Sequence, residues 1–182
     1  MKKTLIALVE DKPGVLNRVA SLFRRRNFNI ESLAVGHSEQ PGVSRMTIVT
    51  DEEEHLRRNV VRANLLKLIN VIDVQDVTDA PCVVRETALI KVKADATQRG
   101  QVLDVTEMYR ARIADVGTET LIVEVTGEYD KIESMIEVLK PFGVLEIMRT
   151  GKIAMTRGTI QPRPNGQPAA VASNGKQEPV AK

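Results

Sequence analysis

The feature that most limits the possible fold of this chain is an order of elements that occurs twice. Between residues 5 and 77, short apolar runs typical of buried strands alternate with two stretches of helical hydrophobic period, in the order β-α-β-β-α-β. Residues 87 to 149 repeat that order after a segment that contains Pro81. Duplication of one supersecondary unit predicts two domains of the same architecture, each with its own core.

Each unit is predicted to be a split βαβ domain of the ferredoxin-like type. The helices of such a unit cover one face of an antiparallel sheet. Right-handed crossovers between parallel strands then place the four strands in the order 4-1-3-2. The predicted strands lie at 5–9, 30–35, 45–50, 71–77, 87–94, 112–116, 120–126 and 144–149. The first predicted helix has Pro13 in its first turn and Gly14 just inside its start, and ends at 24–26; the other predicted helices lie after 51–54, at 102–109 and at 132–139.

The predicted fold class is α+β, with two ferredoxin-like βαββαβ domains and a C-terminal tail. We expect the first domain at 1–78, a linker at 79–85 and the second domain at 86–158. The remaining residues, 159–182, are rich in Pro and polar residues and cannot bury a core, which predicts a disordered tail.

Composition argues against nucleic acid and membrane partners. The chain has 26 basic and 24 acidic residues among 182, a net charge of +2 that gives no strong field for a polyanion. Aromatic residues make up 3% and Trp is absent, so a stacking surface for single-stranded nucleic acid is not expected. No apolar run approaches the length of about 18 residues that a membrane-spanning helix needs.

The single cysteine, Cys82, excludes an intramolecular disulfide and favours a reducing, cytoplasmic location. His37 and His55 are far from Cys82 in sequence. The three residues therefore lack the close spacing of metal ligands, and nothing in the sequence indicates a catalytic Cys–His pair. We therefore predict no metal site and no catalytic residue in this chain.

The segment Asp-Lys-Pro-Gly-Val-Leu, from Asp11 to Leu16, joins the first predicted strand to the first helix. Gly14 leaves the backbone N–H groups at the start of that helix open to a ligand, and the helix dipole favours an anion there. Asn29 leads into the second predicted strand. These features suggest a sensor of a small anion, although both motifs also fit ordinary turn chemistry.

The second predicted strand, 30–35, has one charged residue and no proline. In the order 4-1-3-2 it is an edge strand, and an apolar edge of this kind aggregates unless it is covered. We predict a homodimer in which this strand pairs with its copy and the first helices lie side by side. Asn29 would then reach the segment from Asp11 to Leu16 of the neighbouring subunit.

Several segments, taken in order, resemble those of one protein family. These segments are 29–33, 44–49, 85–86 with 88–92, 130–133, 139–143 and 149–151. On them, the first half is similar to an ACT domain, the amino-acid-sensing module of metabolic enzymes, and the whole of 2–158 resembles the small regulatory subunit of acetolactate synthase.

The resemblance implies a regulatory chain with no cofactor of its own. In this family a separate catalytic subunit uses thiamine diphosphate, Mg²⁺ and FAD to condense pyruvate into acetolactate, an early step of branched-chain amino-acid synthesis. The small subunit raises that activity and confers feedback inhibition, usually by valine. The resemblance further implies that the second domain contacts the catalytic subunit.

The resemblance also places an effector site between two copies of the first domain. The valine carboxylate would meet the backbone N–H groups from Gly14 to Leu16, and Asn29 of the other subunit would bond the zwitterion. Val15 and Ile30 would flank the isopropyl group. Asp11, where many family members have Asn, would accept from the ammonium group.

Other classes of function remain open on the residues alone. A stand-alone amino-acid-sensing ACT protein has the same first domain. A small ferredoxin-like enzyme would need convergent acid and base groups, and a transcriptional or RNA-binding regulator would need a recognition helix or exposed aromatics on a sheet. The sequence shows neither pattern.

Overall fold

The computed structural model describes residues 2–51 and 60–158 of the chain. The first domain has a four-stranded antiparallel sheet in the order β2-β3-β1-β4, which confirms the predicted order. Its elements are β1 (Lys2–Glu10), α1 (Val15–Arg25), β2 (Asn29–His37), β3 (Val43–Asp51), α2 (Val60–Leu65) and β4 (Val71–Asp76).

The second domain repeats this topology, with the strand order β6-β7-β5-β8. The predicted fold class, α+β with two βαββαβ domains, is therefore confirmed. The elements of this domain are β5 (Cys82–Lys93), α3 (Arg99–Met108), β6 (Arg112–Val116), β7 (Thr120–Gly127), α4 (Tyr129–Leu139), a 3-10 turn (Lys140–Phe142), β8 (Val144–Arg149) and β9 (Ile153–Thr156).

Each sheet packs its helices against one face and forms a separate core. Alternate residues along a strand point to opposite faces, so one apolar set from each strand meets the helices. In the first domain the core joins Leu5, Ala7, Val9, Met46 and Ile48 of the sheet to Val15, Val19, Leu22 and Phe23 of α1. In the second domain it joins Ile90, Val92, Leu121, Val123 and Val125 to Val102 of α3 and to Ile132, Met135 and Leu139 of α4.

The segment predicted as a linker, 79–85, is partly strand. β5 begins at Cys82, and its first four residues pair with β9, a strand that the sequence analysis did not predict. This two-stranded ribbon lies over the face of the first sheet that does not meet the helices. The ribbon forms because its apolar side is covered by that sheet. The residues buried between them are Ile6, Val77 and Ala154.

Two predicted regions fall wholly or partly outside the described residues: the tail at 159–182, and 52–54 of the acidic run before α2. Within 2–51 and 60–158, no helix is long and apolar enough to cross a membrane. Over the same ranges, no three His, Cys, Asp or Glu side chains are grouped as metal ligands would be.

Candidate functional site

The turn between β1 and α1 leaves the start of the helix open. Gly14 is the N-cap residue of α1, with φ +83° and ψ −5°, and no described side chain caps this helix. A Cβ at Gly14 would meet nothing within 4 Å, so the space above the turn is free. The first N–H groups of a helix have no intrahelical acceptor. This end of α1 can therefore receive an anionic group of a small ligand.

Asp11 lies at the edge of that space and is already held by its own chain. Its backbone N–H donates to the Gly42 carbonyl (2.8 Å), and its carboxylate accepts from Ser44 Oγ (3.2 Å). The His37 Nδ1 lies 3.3 Å from the other carboxylate oxygen. The sequence predicts Asp11 as a site residue but does not predict these partners, because they come close to Asp11 only through the pairing of β3.

A second group of polar residues fixes the same end of the sheet. Asn70 donates from Nδ2 to Glu10 Oε2 (2.5 Å), and Arg18 of α1 donates to the Asn70 side-chain oxygen. The hydrogen bond from Asn70 and a contact with Lys12 hold the pKa of Glu10 below its ordinary range. These contacts tie α1 to the end of β1 and so keep the helix start in place.

Val15 and Leu16 point in different directions. Val15 is 4% exposed and packs into the first core, so its side chain supports the turn from inside. Leu16 is 46% exposed and projects away from its own domain. Of these two side chains, only that of Leu16 is exposed near the helix start.

The end of α1 places Asn29 at the first position of β2. Asn27 has φ +55° and donates from its N–H to the Arg24 carbonyl (3.1 Å), while the Phe28 N–H reaches the Phe23 carbonyl (3.0 Å). These two bonds make a Schellman motif, and the Phe23 and Phe28 rings pack edge to face, 6.3 Å apart. Asn29 follows this fixed turn with its side chain exposed.

The predicted site residues form two groups at opposite ends of the sheet. β1 and β2 are both antiparallel to β3, so they run in the same direction. Asn29 lies opposite Asp51, which also lies opposite Lys2, whereas the Gly14 turn follows Glu10 at the other end. Eight residue steps of about 3.3 Å separate the two ends by roughly 26 Å. One protomer therefore cannot bring Asn29 and Ile30 to the helix start.

Comparison with protein families identifies both halves of the chain. A family model described as the small subunit of acetolactate synthase matches residues 85–158. A second model, described as an AHAS small subunit-like ACT domain, matches residues 5–73.

Individual relatives match over nearly their whole length. The acetolactate synthase small subunit of Mycolicibacterium smegmatis is 50% identical over 155 residues, which cover 85% of this chain and 91% of that protein. The probable acetolactate synthase small subunit of Archaeoglobus fulgidus is 48% identical over 158 residues, covering 87% and 98%. The crystal structure of the acetolactate synthase small subunit from Thermotoga maritima superposes with a TM-score of 0.80 at 37% identity, covering 88% of this chain and 99% of that one.

Proposed function

The chain belongs to the family of acetolactate synthase small subunits, and from that membership we propose that it binds a separate catalytic subunit, raises its activity and makes it sensitive to valine. Thiamine diphosphate, Mg²⁺ and FAD would belong to the catalytic subunit. The present chain would contribute no catalytic group and would act through binding alone.

The proposed effector site rests on one observation: the turn at Gly14 and the pair Asn29 and Ile30 lie at opposite ends of the sheet in one protomer. β2 is the edge of its sheet, and Val35 on it is 47% exposed. If two copies pair antiparallel along β2 with the two-fold axis at Leu33, the middle of the strand, residue 29 of one strand lies opposite residue 37 of the other. His37 already contacts Asp11. A two-fold dimer would thus bring Asn29 of each subunit to the helix start of its partner.

Each group at the shared site has a role that suits a free amino acid. The open N–H groups that follow Gly14 would bind the carboxylate, and Asn29 of the partner would hydrogen-bond the zwitterion. Asp11, acidic and half-exposed, would attract the ammonium group. Ile30 of the partner and Leu16 would cover the isopropyl group, while Val15 would support the turn from the core.

The affinity that such a site must reach is modest. An effector sensed at about 0.1–1 mM needs only about 4–5.5 kcal/mol of binding free energy. A few charge-assisted hydrogen bonds and one buried isopropyl group are enough to supply it. Inhibition needs, in addition, a difference in valine affinity between two states of the complex, typically about 1–3 kcal/mol.

Reconstitution with an acetolactate synthase catalytic subunit tests the proposal. We expect the purified chain to co-elute with that subunit, to raise the rate of acetolactate formation and to make it valine-sensitive. Failure to co-elute and to activate would contradict the proposed role and favour a stand-alone amino-acid sensor.

Asn29→Ala tests the site itself. The variant should still activate the catalytic subunit but lose inhibition by valine, because the exposed amide would contact only the ligand of the partner subunit. Gln101→Ala removes a comparable exposed amide on α3 and should leave inhibition unchanged. A fully valine-sensitive Asn29→Ala variant would show that the effector binds elsewhere.

A further inference from the structure

The two domains meet at an irregular point of β2. The pairing of β2 with β3 shifts between Ile30 and Ser32, so Glu31 is an extra residue in the ladder. Such a β-bulge leaves one residue unpaired and changes the direction of its side chain. The bulge directly follows Asn29 and Ile30, the two residues of β2 assigned to the effector site.

The first contact across the domains is made by Ser32. Its Oγ accepts a hydrogen bond from the backbone N–H of Lys152, at 2.9 Å, in the turn between β8 and β9. Gly151 in this turn has φ +79°, and a Cβ there would lie 2.7 Å from Ser32 Oγ. The turn therefore approaches β2 at a distance that only glycine permits. We call Glu31 and Ser32 with Gly151 and Lys152 the bulge junction.

The second contact runs from Glu31 through Lys2 to an aromatic ring. Lys2 forms an ion pair with Glu31, and its Nζ lies 5.1 Å from the centre of the Tyr129 ring at the start of α4. Lys152 Nζ lies 4.7 Å from the same ring and the Arg149 guanidinium carbon 5.1 Å from it. Cations at these distances are attracted to the face of an aromatic ring. Tyr129 thus lies between cations from both domains.

Arg149, one of these cations, connects the ring to the interior of the second domain. Its Nε and Nη2 donate to the two carboxylate oxygens of Glu86, at 2.7 and 2.9 Å, and it also pairs with Glu133 of α4. Glu86 is buried, and a bidentate pair of this kind has a fixed geometry. Arg149 thus links Tyr129 to both β5 and α4 of the second domain.

From this arrangement we propose that the bulge junction transmits the binding of valine at Asn29 and Ile30 to the second domain, with Ser32 as the positioning residue. The inference rests on the proposed function. Ser32 and Gly151 touch neither the helix start nor Asn29 in the described contacts, so their role is separable from effector binding. Ser32 has no contact with the ligand in the proposed site. Removal of its hydroxyl should therefore weaken inhibition of the complex by valine without weakening the binding of valine.

Ser32→Ala in the full chain, reconstituted with the catalytic subunit, tests the proposal. We expect L-valine to bind the variant chain alone with a Kd within about twofold of the wild-type value, and activation without valine to be unchanged. The concentration of L-valine that half-inhibits the complex should rise at least about fivefold, the low end of ordinary coupling between sites. Ser32→Thr, which keeps the acceptor oxygen, should restore inhibition.

A matched control and a second variant make the result specific. Ser134→Ala removes a hydroxyl that lies 2.6 Å from the Tyr109 hydroxyl, away from the junction, and should leave inhibition as in the wild type. Gly151→Ala should weaken inhibition as Ser32→Ala does. Its effect should be smaller in the Ser32→Ala background, because the oxygen that the new Cβ meets is then absent.

The outcomes separate this inference from the proposed function. A Ser32→Ala complex inhibited by valine as strongly as the wild type would overturn the role of the bulge junction and leave the proposed function standing. A wild-type chain that binds no valine would overturn the proposed function, and the inference with it. A variant that binds and activates normally but resists inhibition would support both.

Discussion

Gly14 has a backbone conformation that other residues adopt only with strain, and it lies where the ligand is proposed to approach. With φ +83° and open space where a Cβ would be, its requirement for glycine comes from the backbone angle and not from a neighbouring atom. This position is predictable from its neighbours in sequence, Pro13 and the following helix. The contacts of Ser44 and His37 with Asp11 are not predictable in this way, because they depend on strand register.

Gly14→Ala should therefore destabilise the chain by about 1–2 kcal/mol, the cost of a left-handed conformation for a residue with a Cβ. Gly100→Ala is the matched control, since Gly100 is helical, has open space around it and has ordinary φ. That substitution should stabilise α3 by about 0.5–1 kcal/mol. Urea unfolding without valine measures both. Equal effects of the two substitutions would contradict the assignment of strain to Gly14.

Among the elements, α3 shows how a side chain fixes the start of a helix. The sequence predicted a helix that begins after Gly100, but α3 begins at Arg99. Asp95 Oδ1 accepts from the Thr97 hydroxyl (2.6 Å), the Thr97 N–H (2.8 Å) and the Gln98 N–H (2.9 Å). These bonds order the turn before the helix, and the one from the Thr97 hydroxyl contributes most to lowering the pKa of Asp95 from its ordinary value of 3.8.

This lowered pKa predicts a pH dependence of stability. A carboxyl with a lower pKa in the folded than in the unfolded chain stabilises the fold above its unfolded pKa, and that stabilisation is lost as the pH falls through the folded value. Asp95→Asn keeps an acceptor but does not titrate. The wild type should be more stable than the variant at neutral pH, and the difference should shrink as the pH falls below 3.8, the ordinary value for Asp. A difference in urea midpoints that stays constant over this range would contradict the role of the ionised Asp95.

The ribbon of β9 with the start of β5 shows what periodicity cannot predict. Most elements follow from apolar spacing, as in β5 to β8 of the second domain, because their cores are built from the residues that set the pattern. β9 has only four residues, and Ile153 and Met155 on it are exposed while Ala154 is buried. Its pairing depends on the outer face of the first sheet, which is distant in sequence, so no local pattern indicates it.

For the whole molecule, the central claim is that each effector site is assembled from two subunits. The fold of one protomer places Gly14 and Asn29 at opposite ends of a sheet. The sequence predicts both groups and an edge strand that could join them. Because the topology separates the groups within one protomer, a site that combines them would need a second copy. The contact between the domains through Ser32 and Gly151 was not predictable, because it depends on where a turn of the second domain meets a bulge of the first.

Mixed dimers give the most direct test of that claim. Gly14→Glu places a negative charge where the effector carboxylate would bind, and Asn29→Ala removes the group from the other subunit; each variant alone should bind no valine. In a dimer that contains one of each, one site combines the intact Gly14 of the Asn29→Ala subunit with the intact Asn29 of the Gly14→Glu subunit, and the other site carries both substitutions. Equal mixing and subunit exchange should therefore restore about one quarter of the wild-type number of valine sites, measured by calorimetry. If the mixture binds no more valine than the separate variants, the site is not shared between subunits and the account is wrong.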